Sequence, residues 1–176
     1  MKSRYLIDAS GRGANAGIAH MPGRRWLRAD RLVAIVGSMT APAEGIEPVL
    51  VLETTQDGWW CSVPQPMDNL LAVLVTDSDL VRPRRDADLA ESFLAKLRRT
   101  EHTAARCAGA NLSAPPWSAR ADSGLLLPDR GARWRVVGDA AMSCDPLAGD
   151  GVAAGRGPGV VRPDRTLKST GTACTA

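Results

Sequence analysis

The sequence predicts an α/β chain of the α+β-like kind: an antiparallel sheet carrying a packed helix, with separate strand-and-glycine segments before and after it. Three observations lead there. Apolar runs at 49–54, 59–63 and 70–76 follow one another across short turns. Leu89, Phe93, Leu94 and Leu97 then recur at helical spacing. Finally, short apolar strands at 5–7 and 134–137 each run straight into glycine and aspartate.

Taken in order, Tyr5 to Ile7 passes at once into Asp8-Ala9-Ser10-Gly11-Arg12-Gly13, a strand ending in a glycine turn. A core strand so near the first residue is expected to have had upstream neighbours. Residues 31–37 read as a second, strongly buried strand. Residues 49–54 follow, and Gln56-Asp57-Gly58 turns the chain, Asp-Gly being a strong hairpin signal. Residues 59–63 form the next strand, and a turn at Met67-Asp68-Asn69 leads into 70–76. The result is a three-stranded meander, with Leu32 to Val36 in the same sheet. Arg82-Pro83 closes it.

Asp88 and Glu91 have the spacing of a capping box, which predicts a helix from about Asp88 to Ala108. Its apolar stripe packs on the sheet and Arg98, Arg99 and Glu101 face water. Pro115-Pro116 breaks the chain before the last strand. From Ala153 onward Gly, Pro, Thr and Arg dominate without a hydrophobic period, so this tail is expected to be disordered or loosely attached. The expected segments are therefore 1–30, 31–114, 115–152 and 153–176.

Composition narrows the function. With 176 residues, 44% apolar and 23% charged, the chain fits one ordinary globular domain or two very small ones. A net charge of +3 gives no reason to expect a nucleic-acid partner. Cys61, Cys107, Cys144 and Cys174 make no CxxC, and His20 and His102 lie far apart, which argues against zinc and iron–sulfur sites. No signal peptide or membrane span is visible, so a reducing cytoplasm is the expected setting. Ser10 and Ser143 lie outside any GxSxG and have no nearby His, which disfavours a serine hydrolase.

The chemistry concentrates in RVVGDAAMSCDPLAGDGV, Arg135 to Val152. A calcium loop needs oxygen ligands at alternate positions and a closing Glu, and Asp139, Asp145 and Asp150 do not have that spacing. A nucleotide fits better. Asp139 follows a strand end, where α/β sheets bind ligands, and its carboxylate can accept hydrogen bonds from ribose or ribitol hydroxyls. Ala140 and Ala141 leave room, Pro146 sets the turn, and Gly149 and Gly151 let backbone N–H groups approach a polar ring edge. A turn of small residues without a ligand satisfies the same pattern.

GDAAMSCDPLAGDGV is similar to the Gly-Asp motif of FAD-dependent monooxygenases and flavin-dependent (tryptophan) halogenases, roughly GDAA…DP-small-x-x-G. YLIDASGR, Tyr5 to Arg12, resembles that family's (V/L)-I-D-A-T-G-R strand, with Ser10 for Thr. DGWWCSVPQP, Asp57 to Pro66, resembles the DGWWYxxPLP strand of its substrate-side sheet. The three occur in family order and span about residues 4–152.

The resemblance implies part of a two-domain flavoprotein: an antiparallel substrate-side sheet with a packed helix, plus remnants of a Rossmann-like FAD-binding domain. FAD is the implied cofactor and oxidation with molecular oxygen the implied chemistry. Gly11 is expected to allow close packing. Gly138 and Asp139 are expected at the FAD, with Asp139 on its ribitol and Pro146 beside the flavin ring. Gly149 and Gly151 are expected to start a helix aimed at the pyrimidine edge. Trp59 and Trp60 are the substrate-pocket candidates, one facing the core and the other the substrate. No catalytic residue is assigned. A small-molecule or carrier-bound substrate and a flavin reductase are the implied partners.

Three departures matter. The family's GxGxxG is absent, for Gly11, Gly13 and Gly17 follow the wrong strand at the wrong spacing. Cys61 stands where the halogenase W-x-W-x-I-P has its second Trp, which favours hydroxylation or another oxidation. Pro158 and Pro163 would interrupt the long helix expected after Gly151. The expectation is a fragment with both ends missing or replaced. The competing expectation is a non-catalytic remnant or interaction module.

Overall fold

The computed structural model describes residues 3–13, 22–40, 46–66, 69–81 and 86–149. In chain order the strands are β1 (Leu6–Asp8), β2 (Arg25–Arg28), β3 (Leu32–Thr40), β4 (Val51–Thr55), β5 (Gly58–Gln65) and β6 (Asn69–Asp77). The helices α1 (Asp86–Leu97) and α2 (His102–Arg106) follow, then β7 (Asn111–Leu112), β8 (Trp117–Arg120), β9 (Gly124–Leu127), β10 (Arg130–Gly131), β11 (Trp134–Val136) and β12 (Met142–Ser143). They divide into two compact units, one of residues 1–27 and 124–176, the other of residues 28–123.

The 28–123 unit is the expected meander. Its sheet runs β4-β5-β6-β3-β7, with β8 also paired to β3. Period-two alternation sorts the side chains by face. Ile35, Met39, Trp60, Leu70, Ala72 and Leu74 pack with Leu89, Phe93 and Leu97 of α1 and with Cys107. Trp60 and Phe93 meet at 5.2 Å between ring centroids, tilted by 54°, a favourable aromatic arrangement. Phe93 lies over Gly37, where a Cβ would come within 2.6 Å of the ring, so the strand needs glycine there. On the other face Ala34, Val36, Val75 and Ala121 are buried, with Trp59, Leu71 and Val73 packed against them. Gly58 closes the β4–β5 hairpin at φ +139°, and a Cβ there would stand 2.1 Å from the Val75 carbonyl oxygen.

The single helix expected over 88–108 is two helices. α1 begins at Asp86, so Asp88 and Glu91 lie inside it, and it stops at Leu97. The break is held by side chains. The Thr100 hydroxyl donates to the Leu97 carbonyl (2.7 Å) and accepts from the Ala104 N–H (2.9 Å). Glu53 of β4 accepts from the Glu101 N–H (2.6 Å) and from both the N–H and the hydroxyl of Thr103 (2.7 Å each). A carboxylate on a helix N-terminus satisfies amides that lack partners and favours the helix dipole. Burial opposes ionisation of Glu53, but the hydrogen bonds from Thr103, Glu101 and His102 outweigh it and hold the carboxyl below its ordinary range. Helical periodicity carries no trace of a cap supplied from a distant strand.

The ends of this unit are tied together. The Ala29 N–H donates to the Ser123 carbonyl at 2.9 Å, and Asp30 accepts from the Ser123 N–H at 2.9 Å. Asp122, almost fully buried, takes Arg120 in a two-pronged pair at 2.9 Å and Arg28 at 3.0 Å. The bond from Arg120 is the main reason its carboxyl lies below the usual range.

The other unit is built from short pieces. β1 runs parallel to β11, pairing Leu6 with Trp134, Ile7 with Arg135 and Asp8 with Val136, and β10 covers β11 on its far side. A second sheet runs β12-β9-β2. Leu126, Val136, Ala140 and Ala141 form its small core, with Trp26 and Trp134 against them. Leu6 and Ile7 are about half exposed, and among the described residues β1 pairs only with β11. The expected turn residues Met67 and Asp68, the Arg82-Pro83 break and the 153–176 tail lie outside the described residues. Among the described residues no helix is long and apolar enough to cross a membrane.

Candidate active site at two strand ends

Parallel pairing puts the C-terminal ends of β1 and β11 side by side, and each strand then turns. After β1 the chain makes a 3-10 turn over Gly11–Gly13, and after β11 another over Gly138–Ala140. The two turns are stitched at their base, where the Val137 N–H donates to the Asp8 carbonyl at 2.9 Å. Motifs far apart in the chain thus share one edge. This is the place where open α/β sheets hold ligands.

Arg12 joins them. Its Nε donates to Asp139 Oδ2 at 2.9 Å and its Nη2 donates to the Cys144 carbonyl at 2.6 Å. The Asp139 side chain is 37% exposed, and its Oδ1 accepts no hydrogen bond from the described residues. A carboxylate with one oxygen held and one open is suited to accept a hydroxyl donor. Asp8 is only 4% exposed. Its Oδ1 accepts from the Ser10 N–H at 3.0 Å, while its Oδ2 is buried with no partner. Buried polar atoms are nearly always bonded, so an orphan at a strand end marks a place where a donor is missing.

The glycines act through conformation. Gly11 sits at φ +73°, and among the described residues a Cβ there would meet nothing within 4 Å. Gly138, at φ +59°, likewise faces open space. Asp145 accepts from the Leu147 N–H at 2.9 Å, and Pro146 opens a 3-10 turn that ends at Ala148. Gly149 closes this turn in the left-handed region at φ +70°, so it ends a turn where the start of a helix was expected. Asp150 and Gly151 lie outside the described residues.

The adjacent tryptophans part company, as strand alternation requires. Trp60 is 1% exposed and belongs to the core under α1, which removes it from the substrate-pocket candidates. Trp59 lies on the opposite face, and its indole N–H is buried without an acceptor. Cys61 is half-buried and burial pushes its thiol up, away from thiolate chemistry. Among the described residues no His, Cys, Asp and Glu cluster is placed to hold a metal ion.

One larger cleft, of about 340 Å³, lies between the β4–β5 hairpin and α1. Three of its charged residues are committed: Asp57 pairs with Lys96, and Glu53 caps α2. Sequence reasoning missed Arg12 and Asp8. Both stand in the quoted DASGR motif, but only its glycine had been given a role.

No protein-family model matches the chain. It is 28% identical over 151 residues to the FAD-dependent oxidoreductase LodB of Marinomonas mediterranea, a match covering 84% of this chain and 40% of LodB. Among solved structures it superposes on the flavin-dependent halogenase CmlS with a TM-score of 0.73 at 23% identity, covering 86% of this chain and 28% of CmlS. For the flavin-dependent brominase Bmp2 the TM-score is 0.70 at 20% identity, covering 88% and 40%. For the peptidyl tryptophan dihydroxylase QhpG it is 0.69 at 23%, covering 87% and 34%. The chain therefore spans well under half the length of these proteins. Over that span its fold is theirs, and in sequence the chain is similar to one FAD-dependent oxidoreductase, LodB.

Proposed function

We propose that the chain provides the ribitol side of an FAD site and the substrate-side sheet of a flavin-dependent oxidoreductase. The observation that carries this reading is the union of DASGR and Gly-Asp at one sheet edge, with Asp139 Oδ1 open to solvent. The residues present fit the group in part. Asp139 suits a ribitol hydroxyl, and the orphan Asp8 Oδ2 is a second acceptor in need of a donor. The sequence as it stands has no GxGxxG to hold the pyrophosphate.

When bound, FAD would supply redox chemistry with molecular oxygen. This chain's own residues bind and orient. Asp139 accepts from the sugar alcohol, and Pro146 and the exposed turn to Gly149 give a surface for the ring; Trp59 is the substrate-side candidate of the 28–123 unit. The substrate class is a small molecule, free or carrier-bound, and a flavin reductase is the partner that would deliver electrons. Cys61 in place of the second halogenase Trp favours hydroxylation or another oxidation.

Titration of the purified protein with FAD, followed by flavin fluorescence and absorbance, tests the reading. Saturable binding is expected, weakened about tenfold or more in Asp139→Ala, the usual effect of losing a hydrogen bond to a charged group. A colourless protein that takes up no flavin would overturn it. The second reading is a non-catalytic remnant or interaction module of that family that no longer binds FAD alone. A folded chain that takes up no flavin by itself would select that reading.

A further inference from the structure

We infer that Arg12 is the positioning residue of this site: it fixes the Asp139 carboxylate so that Oδ1 alone is presented to the ligand's sugar hydroxyls. The inference rests on the flavin reading above and deepens it. Arg12 is the side chain that reaches from the DASGR turn to two points of the Gly-Asp motif, bonding Asp139 Oδ2 and the Cys144 carbonyl just before Asp145 and Pro146.

A free carboxylate on a 3-10 turn rotates about χ2 and presents either oxygen. The Arg12 bond removes that freedom before the ligand arrives, and preorganisation of this kind raises affinity by removing an ordering cost. The geometry is one that guanidinium performs and ammonium does not. Nε and Nη2 lie on two edges of one rigid plane, so a single side chain sets the angle between the carboxylate and the Cys144 carbonyl. The side chain of Arg12 is 21% exposed, sheltered enough to keep the pair from full solvent screening. The Arg12 Nε bond goes to Oδ2, and Oδ1 is left to accept from the ligand. The ligand class that uses such an oxygen is a polyol chain, as in a flavin ribitol.

Riboflavin, which carries the ribitol, and lumiflavin, which lacks it, separate positioning from general support of the loop. In Arg12→Ala, FAD and riboflavin should bind roughly tenfold more weakly while lumiflavin binding stays within about twofold. Arg12→Lys should recover only part of the loss. Arg12→Ala with Asp139→Asn should bind no more weakly than Asp139→Asn alone, because both act through one oxygen. Melting temperatures of all variants check that the fold is kept. Equal losses for riboflavin and lumiflavin would overturn the inference, as would full rescue by lysine or additive losses in the double variant. If the unaltered chain binds no flavin, the site reading itself fails and this inference with it. Flavin binding that Arg12→Ala leaves unchanged overturns the role of Arg12 alone.

Discussion

The two units of this chain are held together by different means. In residues 28–123, β3 and β6 pair along nine-residue strands, and a continuous core joins Trp60, Leu74, Phe93 and Leu97. The described residues of the 1–27 and 124–176 unit have strands of two to four residues, a four-residue core and the Arg12–Asp139 pair. Long ladders and aromatic burial secure a scaffold, whereas short strands that end together leave turns and carboxylates available. Stability and chemistry are thus carried by separate sets of residues.

Substitutions test that division. The largest effect is expected from Phe93→Ala, which removes a ring that fills the space between Trp60 and Gly37 and should destabilise by about 3–5 kcal/mol. Urea unfolding followed by tryptophan fluorescence measures it, and an unchanged midpoint would erase the distinction between the units. Gly58→Ala should follow at about 2–3 kcal/mol, since it forces a Cβ onto the Val75 carbonyl at a backbone angle that disfavours side chains.

Glu53→Ala should come next, at about 1–2 kcal/mol for the lost cap, with helix signal in circular dichroism falling alongside. It also predicts an acid response. The carboxyls of Glu53 and Asp122 sit below their ordinary values, so the stability they add is complete above about pH 4–5 and is lost as pH falls through the lowered values. Glu53→Gln should flatten that acid slope in a series of thermal melts. Asp139→Asn is expected to have the smallest effect on folding, within about 1 kcal/mol for a partly exposed pair. If it unfolds the chain, Arg12–Asp139 is a structural staple and the comparison breaks.

The sheet was legible because its signals are local. Asp57-Gly58 announces a hairpin, and the apolar runs on either side set strand lengths. The split of the helix was not, because its cause, the Glu53 carboxylate, arrives from β4. At the candidate site Asp139 and Gly138 could be read from a motif, and Asp145 from its position before Pro146. Arg12 could not, since its meaning lies in where its guanidinium reaches. Trp59 and Trp60 show both cases at once: alternation states that they diverge, while only packing tells which one the core takes.

The bond between Ala29 and Ser123 has a kinetic consequence. Arg12 and Asp139 stand 127 positions apart, a separation that would make their meeting slow in an unstructured chain. Once residues 28–123 have folded, their joined ends turn that long excursion into a short bridge. The entropic cost of closing β1 onto β11 then drops by about 1 kcal/mol on a logarithmic loop estimate. A contact that looks remote in sequence becomes nearly local once that scaffold has formed.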